Sequence, residues 1–176
     1  MCIRDSIEIV DNFFDNFNNI EEAFKNVPLY EREEYKKRNI ITDEDRKLLK
    51  DSNFPGRRSD SLHRVQPFLF NLIIKEIFDK INGRQFKEIN LDCSVHLRTG
   101  TEETQDFIHK DPTKLGMLVY LSATNLESGT AFYQEDSDKS YLKIPFIQNS
   151  AVIFPGHIRH KSLLNYGNDI NDGRLT

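Results

Sequence analysis

The feature that most constrains the fold is a series of short strand-like segments that fills the second half of the chain. After residue 86, segments rich in β-branched and aromatic residues alternate with linkers of Gly, Asn, Asp and Ser. This pattern is typical of antiparallel strands joined by tight turns. The candidate strands are 89–98, 106–109, 115–122, 130–134, 142–147, 151–154 and 160–165. The pattern predicts a mainly β fold of the α+β type, a double-sheet jelly roll.

The first half of the chain has a different texture, in which charged residues and helical spacing dominate. Apolar residues from 67 to 81 recur at helical intervals, which predicts the best helix of the chain. We therefore expect N-terminal helices at 1–86 that support a β core at 87–176. The other expectations are a strand at 7–10, a helix that Asn18 and Asn19 cap and that ends before Pro28, a solvated helix or loop at 31–52, a turn at 53–58, and a helix stop at Asn82 and Gly83.

Length and charge bound the class of protein. The chain has 176 residues and a mass of 20.6 kDa, which suits a single domain with a real core. Its 24 Lys and Arg against 28 Asp and Glu give a net charge of −4. This balance argues against a surface that binds nucleic acid or anionic lipid.

Two further absences narrow the expected location. The apolar runs are much shorter than the roughly 18–20 residues that a membrane-spanning helix needs. The polar start at 1–6 lacks the apolar centre of a signal peptide. Cys2 and Cys93 are too few for a disulfide scaffold and too distant for a zinc knuckle, so we expect reduced thiols in a cytoplasmic protein.

The first candidate for chemistry is the pair His109 and Asp111. Residues two apart on a strand project from the same face, so the imidazole and the carboxylate can point at one spot. Together they offer two ligands to a divalent metal. A His-x-Asp pair alone is weak evidence, because chance produces many such surface pairs.

A third ligand is expected from the turn after the strand at 151–154. His160 follows Pro155 and Gly156 and lies 49 residues after Asp111, which leaves room for the intervening strands to fold back. Two histidines and one carboxylate on one side of a metal form the facial triad of non-haem Fe(II) oxygenases. His157 competes for this place, but we prefer His160 because His157 lies in the turn itself.

The third candidate is Arg174, which lies 14 residues after His160. A hairpin over 166–173 would return Arg174 on a strand beside the one that carries His160, with Thr176 on the same face. A planar guanidinium beside a hydroxyl is a good clamp for a carboxylate. A surface ion pair is the alternative for Arg174.

Taken in this order, the motifs resemble the 2-oxoglutarate/Fe(II)-dependent dioxygenases, and most of all their prolyl-4-hydroxylase-like branch. The resemblance covers most of the chain, and the joint order and spacing of its short pieces make it specific. The segments that carry it are 9–14, 109–111, 119–122, 128–133, 154–156 with His160, and 173–176.

The resemblance implies a double-stranded β-helix that holds Fe(II) through His109, Asp111 and His160. It also implies 2-oxoglutarate as cosubstrate, with its far carboxylate on Arg174, and O₂ as oxidant. Thr176 would support the same carboxylate, and so would the phenol of Tyr120. A half-buried strand aromatic is the alternative interpretation of Tyr120.

The resemblance departs from the family at the ends of the chain. Thr176 falls where relatives continue into another strand, so we expect the last strand of the roll to be missing. Residues 1–6 match no element. Both features leave open whether this chain is active as it stands.

The substrate is not identified by the sequence, and a protein side chain or a small metabolite fits equally. The loop 99–105 before the metal pair is a plausible substrate-selecting lid. His96 and Arg98 could reach substrate, but we expect them on a solvated strand face. For Arg57 and Arg58 we expect a solvated turn in preference to an anion site. A cupin-like metal-binding roll and a non-catalytic jelly-roll module are the competing functions.

Overall fold

The computed structural model describes residues 6–39, 54–81, 91–102 and 106–176. Within these ranges the chain forms four helices and ten strands. The helices are α1 (Phe17–Lys25), α2 (Arg32–Asn39), α3 (Leu62–Val65) and α4 (Pro67–Lys80). The strands are β1 (Glu8–Val10), β2 (Tyr30–Glu31), β3 (Arg57–Arg58), β4 (His96–Arg98), β5 (Leu115–Val119), β6 (Asn125–Tyr133), β7 (Ser140–Phe146), β8 (Ala151–Pro155), β9 (Arg159–Ser162) and β10 (Arg174–Leu175).

The strands pair antiparallel in three sheets, so the expectation of a sheet-rich fold is confirmed. Sheet A has the order β1-β8-β5, sheet B the order β10-β4-β3-β2, and sheet C the order β7-β6-β9. Sheets A and B are joined just beyond β5, where the Leu121 amide donates to the Leu175 carbonyl at 2.9 Å. Sheet C is extended by a bridge between His109 and His160. Sheets A and B therefore form one hydrogen-bonded framework, and sheet C with His109 forms a second.

Strand β8 shows why the core divides into two layers. Successive residues of a strand point to opposite faces. Ala151 and Ile153 face the larger cluster, which includes residues of α1 and α4, whereas Val152 and Phe154 face the second cluster with residues of sheet C. Buried on both faces, β8 reads as a continuous apolar run. Helices thus cover one side of sheet A, and sheet C covers the other.

Helix α4 is confirmed close to its predicted bounds. Pro67 occupies the first turn, where its missing N–H costs no hydrogen bond. Leu69, Ile73 and Ile77 form the buried stripe at intervals of four residues, whereas Phe78 is 54% exposed. The sequence spacing predicts a different apolar face, and the observed buried face is rotated about the helix axis from it. The predicted face consists of Phe70, Ile73, Ile74, Ile77 and Phe78. The predicted stop at Asn82 and Gly83 lies outside the described residues.

Other boundaries differ from those expected. Helix α1 starts earlier, at Phe17, with Asn16 as its N-cap, and no side chain caps it. The predicted turn at 53–58 is wrong for its last two residues, which form β3, although Gly56 does take a positive φ of 80°. Of the expected strand 106–109, only His109 forms a bridge. Residues 89–90, most of the segment 31–52, Cys2 and the lid residues 103–105 lie outside the described ranges. In the described part of the chain, no helix has both the length and the apolar character needed to cross a bilayer.

Candidate metal centre

The backbone itself brings His109 and His160 side by side. The amide of His109 donates to the His160 carbonyl at 3.0 Å, and the amide of His160 donates to the His109 carbonyl at 2.9 Å. Asp111 is fixed in the same way, because its amide donates to the Gly156 carbonyl at 2.8 Å. Three side chains separated by up to 51 positions in sequence therefore meet through main-chain hydrogen bonds.

The ligand atoms of these three residues converge. His109 Nε2 lies 3.8 Å from Asp111 Oδ1, and His160 Nε2 lies 3.7 Å from Asp111 Oδ2. All three ligand atoms lie within 4.8 Å of one another. Adjacent ligands on one face of a cation with bonds of about 2.1 Å lie about 3 Å apart, so the three ligand atoms must move inward by roughly 1–2 Å to share one ion.

Hydrogen bonds orient both imidazole rings for metal binding. His109 Nδ1 lies 3.0 Å from the Phe107 carbonyl, and His160 Nδ1 lies 3.0 Å from the Ile158 carbonyl. A carbonyl can only accept, so each Nδ1 carries the proton and donates it. Each Nε2 then presents its lone pair toward Asp111. This arrangement, with a carbonyl fixing the tautomer, is the usual support of a metal-bound histidine.

Burial favours the neutral form of His160. Its side chain is 7% exposed, and desolvation lowers the pKa of His160, opposed by its hydrogen bond to Ile158 and by the charge of Asp111. The ring also packs against Phe154 at 4.6 Å between centroids. His109 is more open, with 41% of its side chain exposed. The site is therefore closed on the His160 side and accessible on the His109 side.

His157, the competing third ligand, is exposed and does not join this group. The structure places His160 with the pair instead. The reason is strand register, because His160 lies opposite Phe132 within the sheet, whereas His157 belongs to the turn before β9.

Arg174 lies on β10 and is buried, with 2% of its surface exposed. Its Nε and Nη2 are inaccessible to solvent and have no hydrogen-bond partner among the described residues. Its guanidinium lies 5.5 Å from the centre of the Phe146 ring. Burial without a partner is costly for a charged group, so an anion bound to this guanidinium would offset the cost. The predicted alternative of a surface ion pair is wrong.

Tyr120 contacts the same Phe146 ring as Arg174 and is completely buried. Its ring stacks on Phe146 at 4.3 Å, and its hydroxyl lies 2.7 Å from Thr130 Oγ1. Burial raises the pKa of Tyr120, opposed by its bond to Thr130 and by the charge of Arg174. Its phenol therefore stays protonated near neutral pH. The sequence interpretation did not single out Thr130 or Phe146, since nothing local distinguishes them from other strand residues.

Thr176 directly follows β10, and its main chain pairs with His96 in both directions, at 2.8 and 2.9 Å. Its hydroxyl lies 3.5 Å from the His96 carbonyl, at the limit of a hydrogen bond. Arg174 and Thr176 are two positions apart on one extended segment, so they share a face as expected. Thr176 can therefore add a hydroxyl to the pocket of Arg174.

The expected solvated face of β4 is wrong. Arg98 is 1% exposed, and its Nε donates to Glu102 at 2.6 Å while its Nη1 donates to Asp106 at 2.5 Å. Asp106 also accepts from Asn165 at 2.7 Å. Arg98 thus ties both ends of the predicted lid loop to the sheet, a structural role that the alternation of polar residues did not reveal.

Arg57 and Arg58 behave differently from each other. Arg57 points toward Glu31, with 3.8 Å between its Nε and the carboxylate. Arg58 lies over the ring of Phe54 at 4.5 Å, and its Nε is buried. The prediction of a solvated turn therefore fails for Arg58.

No protein-family model matches the chain, and no curated protein matches it. The function therefore has to be argued from the site. Two imidazoles and one carboxylate on one side of a position suit a divalent transition metal and leave its other side free. The Arg174 guanidinium, which has no hydrogen-bond partner among the described residues, lies over Phe146, and Phe146 belongs to the same apolar cluster as Phe154, which packs against His160. Such a guanidinium suits an organic anion.

Proposed function

We propose that this protein is a non-haem Fe(II)- and 2-oxoglutarate-dependent dioxygenase that hydroxylates a protein side chain or a small metabolite. One observation carries the proposal. The Nε2 lone pairs of His109 and His160 converge on the carboxylate of Asp111. Arg174, buried and without a hydrogen-bond partner among the described residues, supplies the second recognition group that such chemistry needs.

The framework supports a double-stranded β-helix. Sheets A and B join through Leu121 and Leu175, and sheet C lies against sheet A through the second apolar cluster. Two facing antiparallel sheets are the arrangement of a jelly roll. His160 lies on β9 and its main chain pairs with that of His109, so the sheet fixes the backbone of both residues.

The donor set fits Fe(II). His109, Asp111 and His160 would hold the ion from one side and leave its other positions open for cosubstrate and O₂. The Arg174 guanidinium would bind the far carboxylate of 2-oxoglutarate through paired hydrogen bonds. Fe(II), O₂ and 2-oxoglutarate supply the oxidation when bound, with decarboxylation of 2-oxoglutarate to succinate.

The protein's own residues bind, orient and exclude water. The carbonyls of Phe107 and Ile158 keep the two imidazoles in the ligating tautomer. Tyr120 keeps its proton and can donate it to an anion on Arg174 once its bond to Thr130 rearranges. Phe146 is fully buried and contacts both Tyr120 and Arg174. It keeps water away from the guanidinium and so strengthens the attraction of the guanidinium for an anion.

The test is an anaerobic titration of the metal-free protein with Fe(II) and 2-oxoglutarate, followed by visible absorption. A charge-transfer band arises only when the 2-oxo acid chelates protein-bound Fe(II). We expect the band in the wild type and in His157→Ala, the matched control, because His157 is exposed and lies outside the ligand group. It should be lost in His160→Ala, and Arg174→Gln should need at least about tenfold more 2-oxoglutarate.

The other outcomes identify the competing functions. Metal binding without the band, and without any effect of Arg174→Gln, would point to a cupin-like metal-binding roll. A protein that binds neither the metal nor 2-oxoglutarate would be a non-catalytic binding module. Either result would overturn the dioxygenase proposal.

A further inference from the structure

One face of sheet B concentrates positive charge. Arg58 on β3 lies opposite His96 on β4, and Arg98 on β4 lies opposite Arg174 on β10. Directly opposed residues of antiparallel strands project from the same face. Leu97, between the two β4 residues, points the other way into the larger apolar cluster. Three guanidiniums therefore share the face that is turned away from that cluster.

These guanidiniums differ in how their charge is balanced. Arg98 is neutralised by Glu102 and Asp106. In the described ranges, Arg174 and Arg58 form no hydrogen bond and no ion pair, and each has a buried Nε. Under the proposed function, the cosubstrate accounts for Arg174. Arg58 is left as a second, separate cation without an assigned anion.

Aromatic packing positions Arg58 in place of an ion pair. Its guanidinium lies 4.5 Å above the centre of the Phe54 ring, which is 6% exposed. Phe54 is held edge-on by Tyr35 at 5.1 Å and by His96 at 6.1 Å. A cation over an aromatic face is attracted to it, yet its in-plane N–H donors stay free. The side chain is thus fixed while its donors remain uncommitted.

His96, which lies opposite Arg58 on β4, adds no charge beside the guanidinium. Its Nε2 lies 2.6 Å from the Pro55 carbonyl and must donate to it, because a carbonyl only accepts. Desolvation, followed by the charge of Arg58, holds the pKa of His96 well below its usual range. The His96 ring is therefore neutral and adds no positive charge beside Arg58.

Arg58 lies on the same side of sheet B as Arg174. Burial lowers the pKa of Arg58, and its interactions with the ionised forms of Tyr35, Asp92 and Asp111 oppose that effect in this order. A molecule held by Arg58 would therefore lie on the side of the sheet that carries Arg174, which the proposed function assigns to the cosubstrate. Asp92 influences Arg58 without pairing with it.

We propose that Arg58 anchors an anionic group of the substrate, a carboxylate or a phosphate, on the same side of sheet B as Arg174. This inference rests on the proposed function, because it assigns Arg174 to the cosubstrate and Arg58 to the molecule that is hydroxylated. A planar guanidinium offers two parallel N–H donors that match either anion. The substrate class is therefore an acidic metabolite or an acidic residue of a peptide.

Calorimetric titration with two minimal anions tests the inference. Acetate and methylphosphonate are titrated separately into the anaerobic protein saturated with Fe(II) and 2-oxoglutarate, which keeps Arg174 occupied. We expect saturable binding to the wild type and at least about tenfold weaker binding to Arg58→Gln. Arg57→Gln is the matched control, because its neighbouring guanidinium points toward Glu31. The tighter of the two probes distinguishes a carboxylate from a phosphate substrate.

Equal affinities in Arg58→Gln and the wild type, or no anion binding to the wild type, would overturn the inference. Should Arg58→Gln fail to fold, Arg58→Lys replaces it, with binding weakened several-fold because an ammonium lacks the two-donor edge. Failure of the proposed function appears separately, as absence of 2-oxoglutarate binding. The same titrations on the cofactor-free protein would then still show whether anion binding depends on Arg58.

Discussion

At the scale of single residues, the geometry of the candidate metal centre depends on the missing side chain of Gly116. A Cβ on Gly116 would lie 2.6 Å from two atoms of the Phe154 ring and 2.9 Å from Asp111 Oδ2. Phe154 in turn packs against His160. Gly116 therefore leaves the space in which one ligand lies and another is supported.

We expect Gly116→Ala to weaken metal binding by at least about tenfold, because the new methyl group displaces Asp111 or Phe154. Overpacking of this kind also costs about 1–3 kcal/mol of stability. Metal titration and thermal unfolding measure the two effects. Gly100→Ala is the control, because its added Cβ meets nothing closer than 3.5 Å. Unchanged metal affinity in Gly116→Ala would show that the space around Asp111 is not limiting.

At the scale of elements, one hydroxyl links the short strand β10 to the segment that follows β5. Ser122 Oγ donates to the Gly173 carbonyl and accepts from the Leu175 amide, both at 2.6 Å. These two bonds flank Arg174 on either side. The hydroxyl therefore fixes the segment from which the buried guanidinium projects.

Ser122→Ala should lower affinity for 2-oxoglutarate several-fold while metal affinity stays unchanged. The substitution strands a buried amide and a buried carbonyl, at a cost of about 1–3 kcal/mol in stability. Urea unfolding and the anaerobic titration report the two effects separately. Ser137→Ala is a suitable comparison, since that exposed hydroxyl only accepts from Lys139 in a turn. A parallel loss of metal affinity would mean that Ser122 supports the whole site and not β10 alone.

The same elements show how far sequence reasoning reaches. The apolar, β-branched and aromatic runs at 115–122 and 151–154 were enough to predict strands, and the order of His109, Asp111 and His160 was enough to predict a group. Alternation says which residues share a face but not what covers that face. The cover on β4 comes from β3 and β10, which are distant in sequence, and from Glu102 and Asp106, which follow β4 but carry no signal that they turn back onto it. For this reason the burial of Arg98 and the position of Arg58 could not be predicted.

At the scale of the whole molecule, stability should depend on pH through buried neutral histidines. The folded-state pKa of His96 lies well below its unfolded value because of burial. The unfolded chain therefore takes up a proton near pH 6.5 that the folded chain refuses. The contribution is complete above that value and is lost as the pH falls toward the folded-state pKa.

We expect the unfolding midpoint of the metal-free protein to fall between pH 7 and pH 5, and to fall less in His96→Gln. Glutamine can still donate to the Pro55 carbonyl but does not titrate, so the difference between the two proteins isolates His96. Denaturant unfolding at a series of pH values measures it. Parallel curves for the two proteins would show that His96 does not contribute to the pH dependence. His160, whose pKa is also lowered, should account for part of the remaining fall.

The reciprocal backbone bonds between His109 and His160 have a consequence for the metal-free state of the protein. A zinc finger is stabilised by its metal and unfolds when the metal is removed. Here the two rings are already paired through main-chain bonds and aimed by carbonyls, so an emptied centre keeps its shape. If the proposed function holds, loading and unloading of the metal would be uncoupled from folding, and the metal-free protein would keep its ligands in place.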